Sequence, residues 1–183
     1  MRILPYFLLK NQNSHFLYLI SRITIFKKMK INIETEVNQS VTQVWEQFDD
    51  KLLMQLSPPF PPVKLISFGQ KIGEKVILEL NFFIKRQLWV SKITDFYFTV
   101  DEAYFIDEGE QLPFFLSYWK HKHKIIKNEA SPDGSGSIII DEIEFRTPTI
   151  LTDYIFYPIL YLQFLYRKPI YRKFFKNLIP PKS

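Results

Sequence analysis

Two of the chain's three histidines stand two residues apart, in the run Trp119-Lys120-His121-Lys122-His123. Along a strand every second side chain shares a face. Lys120, Lys122 and Lys124 need water, so Trp119, His121 and His123 belong on the buried face. A buried imidazole needs a polar partner. The turn signal Pro132-Asp133-Gly134 provides one, because a hairpin centred on Pro132 sets His123 opposite Asp141 and His121 opposite Ile143. A carboxylate in that place would fix the imidazole's tautomer and raise its pKa.

Four chemistries fit this arrangement. The first, and the one the sequence favours, is a structural His–Asp pair that holds the hairpin. The second is a hydrogen bond from His121 or His123 to a bound molecule. The third is general acid–base catalysis, for which the sequence offers no nucleophile and no second perturbed pair. The fourth is metal binding, since histidines two apart on a strand share a face, but Asp141 or another carboxylate must then complete the set. No catalytic residue, metal ligand or cofactor is assigned on this basis. Four aromatic residues, Phe82, Trp89, Phe105 and Trp119, are candidates for lining a pocket beside His121, His123 and Asp141, with ordinary core packing as the competing reading for each. Glu108 and Glu110 read as the solvated part of a loop.

These side chains must be positioned by a sheet. Lys30 to Val37 alternates as a strand with Ile31, Ile33, Thr35 and Val37 on one face. Ser40 is a plausible N-cap for a helix carrying Val41, Val44, Trp45 and Phe48 at helical spacing, and Asp49 to Leu56 fits a second short helix. The run Ser57-Pro58-Pro59-Phe60-Pro61-Pro62 ends it. Strands are then expected over 63–68, 73–86, 88–98, 99–107, 114–128 and 136–147. In the second of these Val76, Leu78, Leu80, Phe82 and Ile84 alternate with polar residues. Residues 150–177 read as one long helix with kinks at Pro158 and Pro169. A curved antiparallel sheet needs its concave face covered, and only this terminal helix is long enough. The fold class is therefore α+β, of helix-grip type, with two short helices after the first strand.

Composition supports a folded chain with an ample core. The 183 residues suit one domain, and 46% are hydrophobic, with 18 Phe and 10 Tyr. The absence of Cys excludes disulfides, thiolate metal sites and cysteine nucleophiles, and the 5 glycines leave little for phosphate-cradling loops. The net charge of +5 is unevenly spread. Arg2, Lys10, Arg22, Lys27 and Lys28 stand without an acid in the first 28 residues, and the segment after Asp153 is acid-free too. Between them lies an acidic body, a poor match to the broad basic face that nucleic-acid binding requires. Residues 1–28 read as an extension upstream of a natural start at Met29, with 29–178 as the single domain. No apolar run there approaches the roughly 20 residues a membrane span needs, and a cytoplasmic location is expected. The basic and aromatic run from Tyr166 to Lys176 reads as the solvated side of the gripping helix, with weak contact to an anionic membrane surface as the alternative.

From Lys30 to Phe175 the chain resembles the SRPBCC superfamily, the START-like and polyketide-cyclase-like helix-grip proteins, and within it the bacterial ligand-binding SRPBCC domain proteins. The resemblance rests on Lys30 to Val37 with Ser40 to Trp45, on Phe105-Ile106-Asp107-Glu108 with Pro113-Phe114, on Trp119-Lys120-His121-Lys122-His123, and on Asp141 to Phe145 with Pro148. Leu112 stands where relatives often have glycine, and a glycine usual after the position of Pro148 is missing. The resemblance implies a cavity between sheet and terminal helix that binds or carries a hydrophobic or amphipathic small molecule such as a lipid, isoprenoid or polyketide-like compound. A cyclase or dehydratase using His121 and His123 as acid–base groups is the alternative, and a solid-cored interaction protein is a third class.

Overall fold

The computed structural model describes residues 28–132 and 134–177, so the expectations for residues 1–27, Asp133 and Leu178 lie outside the described residues. Seven strands form one antiparallel sheet in the order β1-β7-β6-β5-β4-β3-β2. They are β1 (Met29–Val37), β2 (Val63–Ser67), β3 (Lys75–Asn81), β4 (Arg86–Phe98), β5 (Glu102–Gln111), β6 (Tyr118–Lys127) and β7 (Ser137–Arg146). Helices α1 (Val41–Glu46) and α2 (Asp50–Leu56) follow β1, and α3 (Ile150–Leu165) and α4 (Arg167–Lys176) close the chain. This is the expected helix-grip arrangement.

Local sequence explains most of the boundaries. Ser40 and Gln43 form a reciprocal capping box at α1, and Asp49 Oδ1 accepts the Leu52 N–H at 2.8 Å to start α2. In β1, Ile31, Ile33, Thr35 and Val37 are buried while their neighbours face solvent, as alternation requires. Asp153 is buried at the head of α3 and accepts from the Thr147 amide and hydroxyl at 2.6 and 2.9 Å, which ties the helix entry to the end of β7.

Two elements differ from the sequence expectation. The strand expected over 73–86 stops at Asn81, because Asn81 Oδ1 accepts the Phe83 N–H at 2.9 Å and turns the chain into a hairpin. Phe83 takes a positive φ of 64° there, and Ile84 is 99% exposed, so Phe82 and Ile84 do not continue the buried face. The long C-terminal helix breaks at Tyr166, not at its prolines. Pro158 is carried inside α3. Pro169 cannot donate to the Leu165 carbonyl and its ring crowds that group, which puts the break one turn upstream of the proline.

The core lies between the sheet and the helices, in two clusters. Val41 and Val44 of α1, Phe48 of the link after it and Leu52 of α2 pack with Tyr171 and Phe175 of α4 against Phe105, Ile125 and Ile139. Leu160 and Phe164 of α3 pack on Ile31, Trp119, Ile143 and Phe145. On the opposite face Lys120 pairs with Glu108 at 2.9 Å and Lys75 with Glu110 at 2.6 Å. Glu108 and Glu110 therefore belong to the outer face of β5 and not to a loop; exposed pairs of this kind contribute under about 1 kcal/mol each.

Candidate functional site

The pairing of β6 with β7 matches the hairpin expected from Pro132: His123 stands opposite Asp141, His121 opposite Ile143 and Trp119 opposite Phe145. On the other side of β6, His121 pairs with Asp107 and His123 with Phe105 of β5. The two histidines thus stand between a carboxylate on each neighbouring strand, and all four side chains point under the C-terminal helices, His121 being 3% and His123 8% exposed.

The resulting cluster has a boxlike geometry. The two imidazole centroids are 3.7 Å apart. Asp141 Oδ1 lies 2.9 Å from His121 Nε2 and 3.5 Å from His123 Nδ1. Asp107 Oδ2 lies 3.6 Å from His121 Nδ1 and 3.6 Å from His123 Nε2. The other oxygen of Asp107 accepts the Trp119 Nε1–H at 3.2 Å. Arg167 Nη1, at the start of α4, approaches Asp141 Oδ1 to 3.6 Å. The ring of His123 stacks on Phe105 at 4.5 Å, and Phe164 stands edge-on to His121 at 5.0 Å.

The short contact of Asp141 goes to His121 and not to His123, the imidazole opposite it in register. Burial, reinforced by the adjacent His123 ring, lowers the His121 pKa from 6.5 to about 4, and the two carboxylates only partly oppose it. Asp141 pushes the His121 pKa upward, but desolvation outweighs that attraction. For both carboxylates burial works against ionisation, yet both end below their ordinary value. His123 and His121 outweigh burial at Asp107; His121, Arg167 and His123 do so at Asp141. A neutral His121 has one N–H for two carboxylates, so whichever nitrogen carries it, the other presents a lone pair to an acceptor oxygen. Among the described residues His123 Nδ1, Arg167 Nη1 and the Tyr171 hydroxyl are buried without a hydrogen-bond partner.

A pocket of about 140 Å³ opens in front of the cluster. Asp107, His121, His123 and Arg167, with Asp49, Ser91 and Gln163, are among its polar lining, and Leu80, Trp89, Phe105, Trp119, Leu160 and Phe164 are among its apolar walls. Leu53, Ser57, Pro58 and Pro61, from α2 and the proline-rich run after it, complete the lining. Of the seven residues selected from sequence, five, Trp89, Phe105, Trp119, His121 and His123, meet on this wall. Asp141 stands behind the histidines, at 1% exposure. Phe82 is placed elsewhere: the hairpin after β3 carries it away to contact Phe60, Phe114 and Phe115. Asp107 and Arg167 were missed. Asp107 carried a usable signal, since it shares the parity of the buried Ala103 and Phe105 on its strand. Arg167 carried none, because a basic run reads as solvated.

The architecture recurs in solved proteins of low identity. Zhui aromatase/cyclase from Streptomyces sp. R1128 superposes with a TM-score of 0.55 at 12% identity, over 78% of this chain and 90% of that one. Protein CV1439 from Chromobacterium violaceum gives 0.52 at 13% identity, over 84% and 99%. Mll3558 from Rhizobium loti gives 0.51 at 13%, over 78% and 96%. No protein-family model and no curated protein matches the chain. At these identities the likeness establishes the SRPBCC-type helix-grip fold and nothing about chemistry.

Proposed function

We propose that this helix-grip protein binds a small hydrophobic or amphipathic molecule between its sheet and its C-terminal helices, with His121 and His123 meeting the molecule's polar end and Asp141 holding His121. The observation that carries this reading is the composition of the pocket wall: aromatic and aliphatic groups on most sides, with Asp107, His121, His123 and Arg167 gathered as its main polar patch and Asp49 as the other ionisable group on the lining. Such a site gives an apolar body its affinity and a polar head its orientation. Its size narrows the ligand. An apolar cavity of about 150 Å³ accommodates benzene, so a pocket of about 140 Å³ takes one ring or a short branched chain segment at a time. A larger lipid or polyketide-like compound would leave the rest of its length outside or would require the walls to part.

The second reading is an enzyme acting on a similar molecule. It is favoured by one contact, the 2.9 Å His121–Asp141 pair at the pocket floor, which is the base-and-orienter arrangement general acid–base catalysis uses. The test of binding is native mass spectrometry of protein purified from its own host, followed by titration of the stripped protein with single-ring apolar probes. A co-purified small molecule or saturable probe binding is expected. Neither one appearing refutes the proposal.

A further inference from the structure

We propose that Asp107 Oδ2, His121 Nδ1 and His123 Nε2 form a binding site for a divalent first-row transition ion, zinc foremost, with its remaining coordination position facing the pocket. The site concerns the protein's own side chains and stands whether or not the pocket takes an organic ligand.

Three observations carry it. The first is spacing. Tetrahedral ligands held at about 2.0–2.1 Å from a zinc ion lie about 3.3–3.4 Å from one another. Asp107 Oδ2 is 3.6 Å from each histidine nitrogen, and the donor atoms of all three residues fall within 4.8 Å of one another. That is too long for hydrogen bonds of ordinary length, and binding a shared ion would draw the three donors together. The second is the outer shell. Metal-binding imidazoles give their other nitrogen to a carboxylate, and metal-binding carboxylates have their free oxygen held. Here His121 Nε2 is engaged by Asp141 at 2.9 Å and Asp107 Oδ1 by the Trp119 indole at 3.2 Å. These two contacts leave His121 Nδ1 and Asp107 Oδ2 free as donors, while His123 Nδ1 stands 3.5 Å from Asp141 Oδ1. The third is charge. Two buried carboxylates, Asp107 and Asp141, face one guanidinium, Arg167, at 3.6 Å from Asp141. One negative charge is left for a cation to balance.

Two histidines and one carboxylate suit zinc, iron or a neighbouring ion better than calcium or magnesium, which prefer all-oxygen shells. All three donors line the pocket while Asp141 does not, so the vacant coordination position points where a ligand's carbonyl, hydroxyl or carboxylate oxygen would sit.

The test titrates chelator-stripped full-length protein with Zn²⁺ and reads the histidine side chains by nitrogen-15 NMR. One ion per chain is expected, with the largest shifts at Nδ1 of His121 and Nε2 of His123. Asp107→Asn should weaken zinc binding at least tenfold. Trp119→Phe, which frees the second Asp107 oxygen, should weaken it about tenfold or more, the range typical of outer-shell changes. Glu108→Gln, on the opposite face of β5, should leave it unchanged. The proposal is overturned if neither ring nitrogen moves under saturating zinc, or if Asp107→Asn binds zinc as tightly as the parent. The NMR experiment needs no variant, so a substitution that fails to fold leaves the proposal exposed to refutation.

Discussion

Replacing Asp141 by Asn tests whether the core of the cluster is a buried charge pair. The substitution keeps the shape and leaves an oxygen that still accepts from His121 Nε2, now 2.9 Å away. It removes the negative charge 3.6 Å from Arg167, whose side chain is only 14% exposed. Breaking a buried pair by removing one partner costs about 3–5 kcal/mol. Because the guanidinium also borders the pocket, where water can reach it, the lower end applies here, about 3 kcal/mol. That corresponds to a fall in Tm of roughly 6–12 °C for a chain of this size. A double-mutant cycle isolates the pair. Arg167→Met removes the cation and keeps an apolar stem, so Asp141→Asn combined with Arg167→Met should cost at least about 1 kcal/mol less than the two singles together. Urea unfolding at pH 7 with chelator present measures all four proteins, and an unchanged m-value confirms that the end states are comparable. A loss below about 1 kcal/mol for Asp141→Asn at unchanged m, or additive singles, would falsify the buried-pair account.

Two further outcomes follow from the same interior. Tyr171 is fully buried and its hydroxyl makes no well-formed hydrogen bond among the described residues, with Arg167 acting on it only weakly, so Tyr171→Phe should be neutral or stabilising by about 1 kcal/mol at pH 7. Burial first, and then the charge of Asp141, raise the Tyr171 pKa well above 10 in the folded state. The unfolded chain ionises near 10, so the parent loses stability as pH rises beyond that value, and its deficit against Tyr171→Phe should grow by about 1.4 kcal/mol per pH unit. Alkaline urea titrations in which the two proteins run parallel would remove the assignment. Leu160, from α3, borders the pocket. Leu160→Trp should fill it at a cost of about 1–3 kcal/mol and lower the affinity for a single-ring probe such as toluene at least tenfold, and unchanged toluene binding by NMR line shifts would place the ligand elsewhere.

The sequence disclosed the frame of the site more fully than its chemistry. Alternating lysines in β6 decided which way the histidines face, because three ammonium groups cannot be buried on one strand. The turn at Pro132 decided which residue Asp141 meets, because a slip of one residue would reverse every side chain in β7. What stayed hidden depended on contacts between elements distant in the chain. Asp107 was seen only as part of a motif, and its role needs the β5–β6 register, which joins Asp107 to His121. Arg167 looked like surface, and its place beside Asp141 depends on how the C-terminal helix seats on the sheet. Phe82 was selected on an alternation that continued in sequence past Asn81 but ended there in space. The register set His123 opposite Asp141, but the hydrogen bond runs diagonally to His121, a contact that strand pairing alone does not reveal.

Burial and pairing together limit what the cluster can do. A structural pair would be complete with one carboxylate and one imidazole, as at His121 and Asp141. This protein places a second carboxylate and a second imidazole beside that pair and leaves the two halves 3.6 Å apart. Unmade contacts between buried polar groups cost stability, and the hairpin would hold without them, since β6 and β7 are already paired from Tyr118 to Lys127. The extra pair also lines the pocket, while Asp141, on the same face of the sheet, does not. A fold selecting only for a firm hairpin has no reason to keep Asp107 and His123 polar there. Their placement is explained if what completes them arrives from the pocket, as an ion, as the polar end of a ligand, or as the two bound to each other.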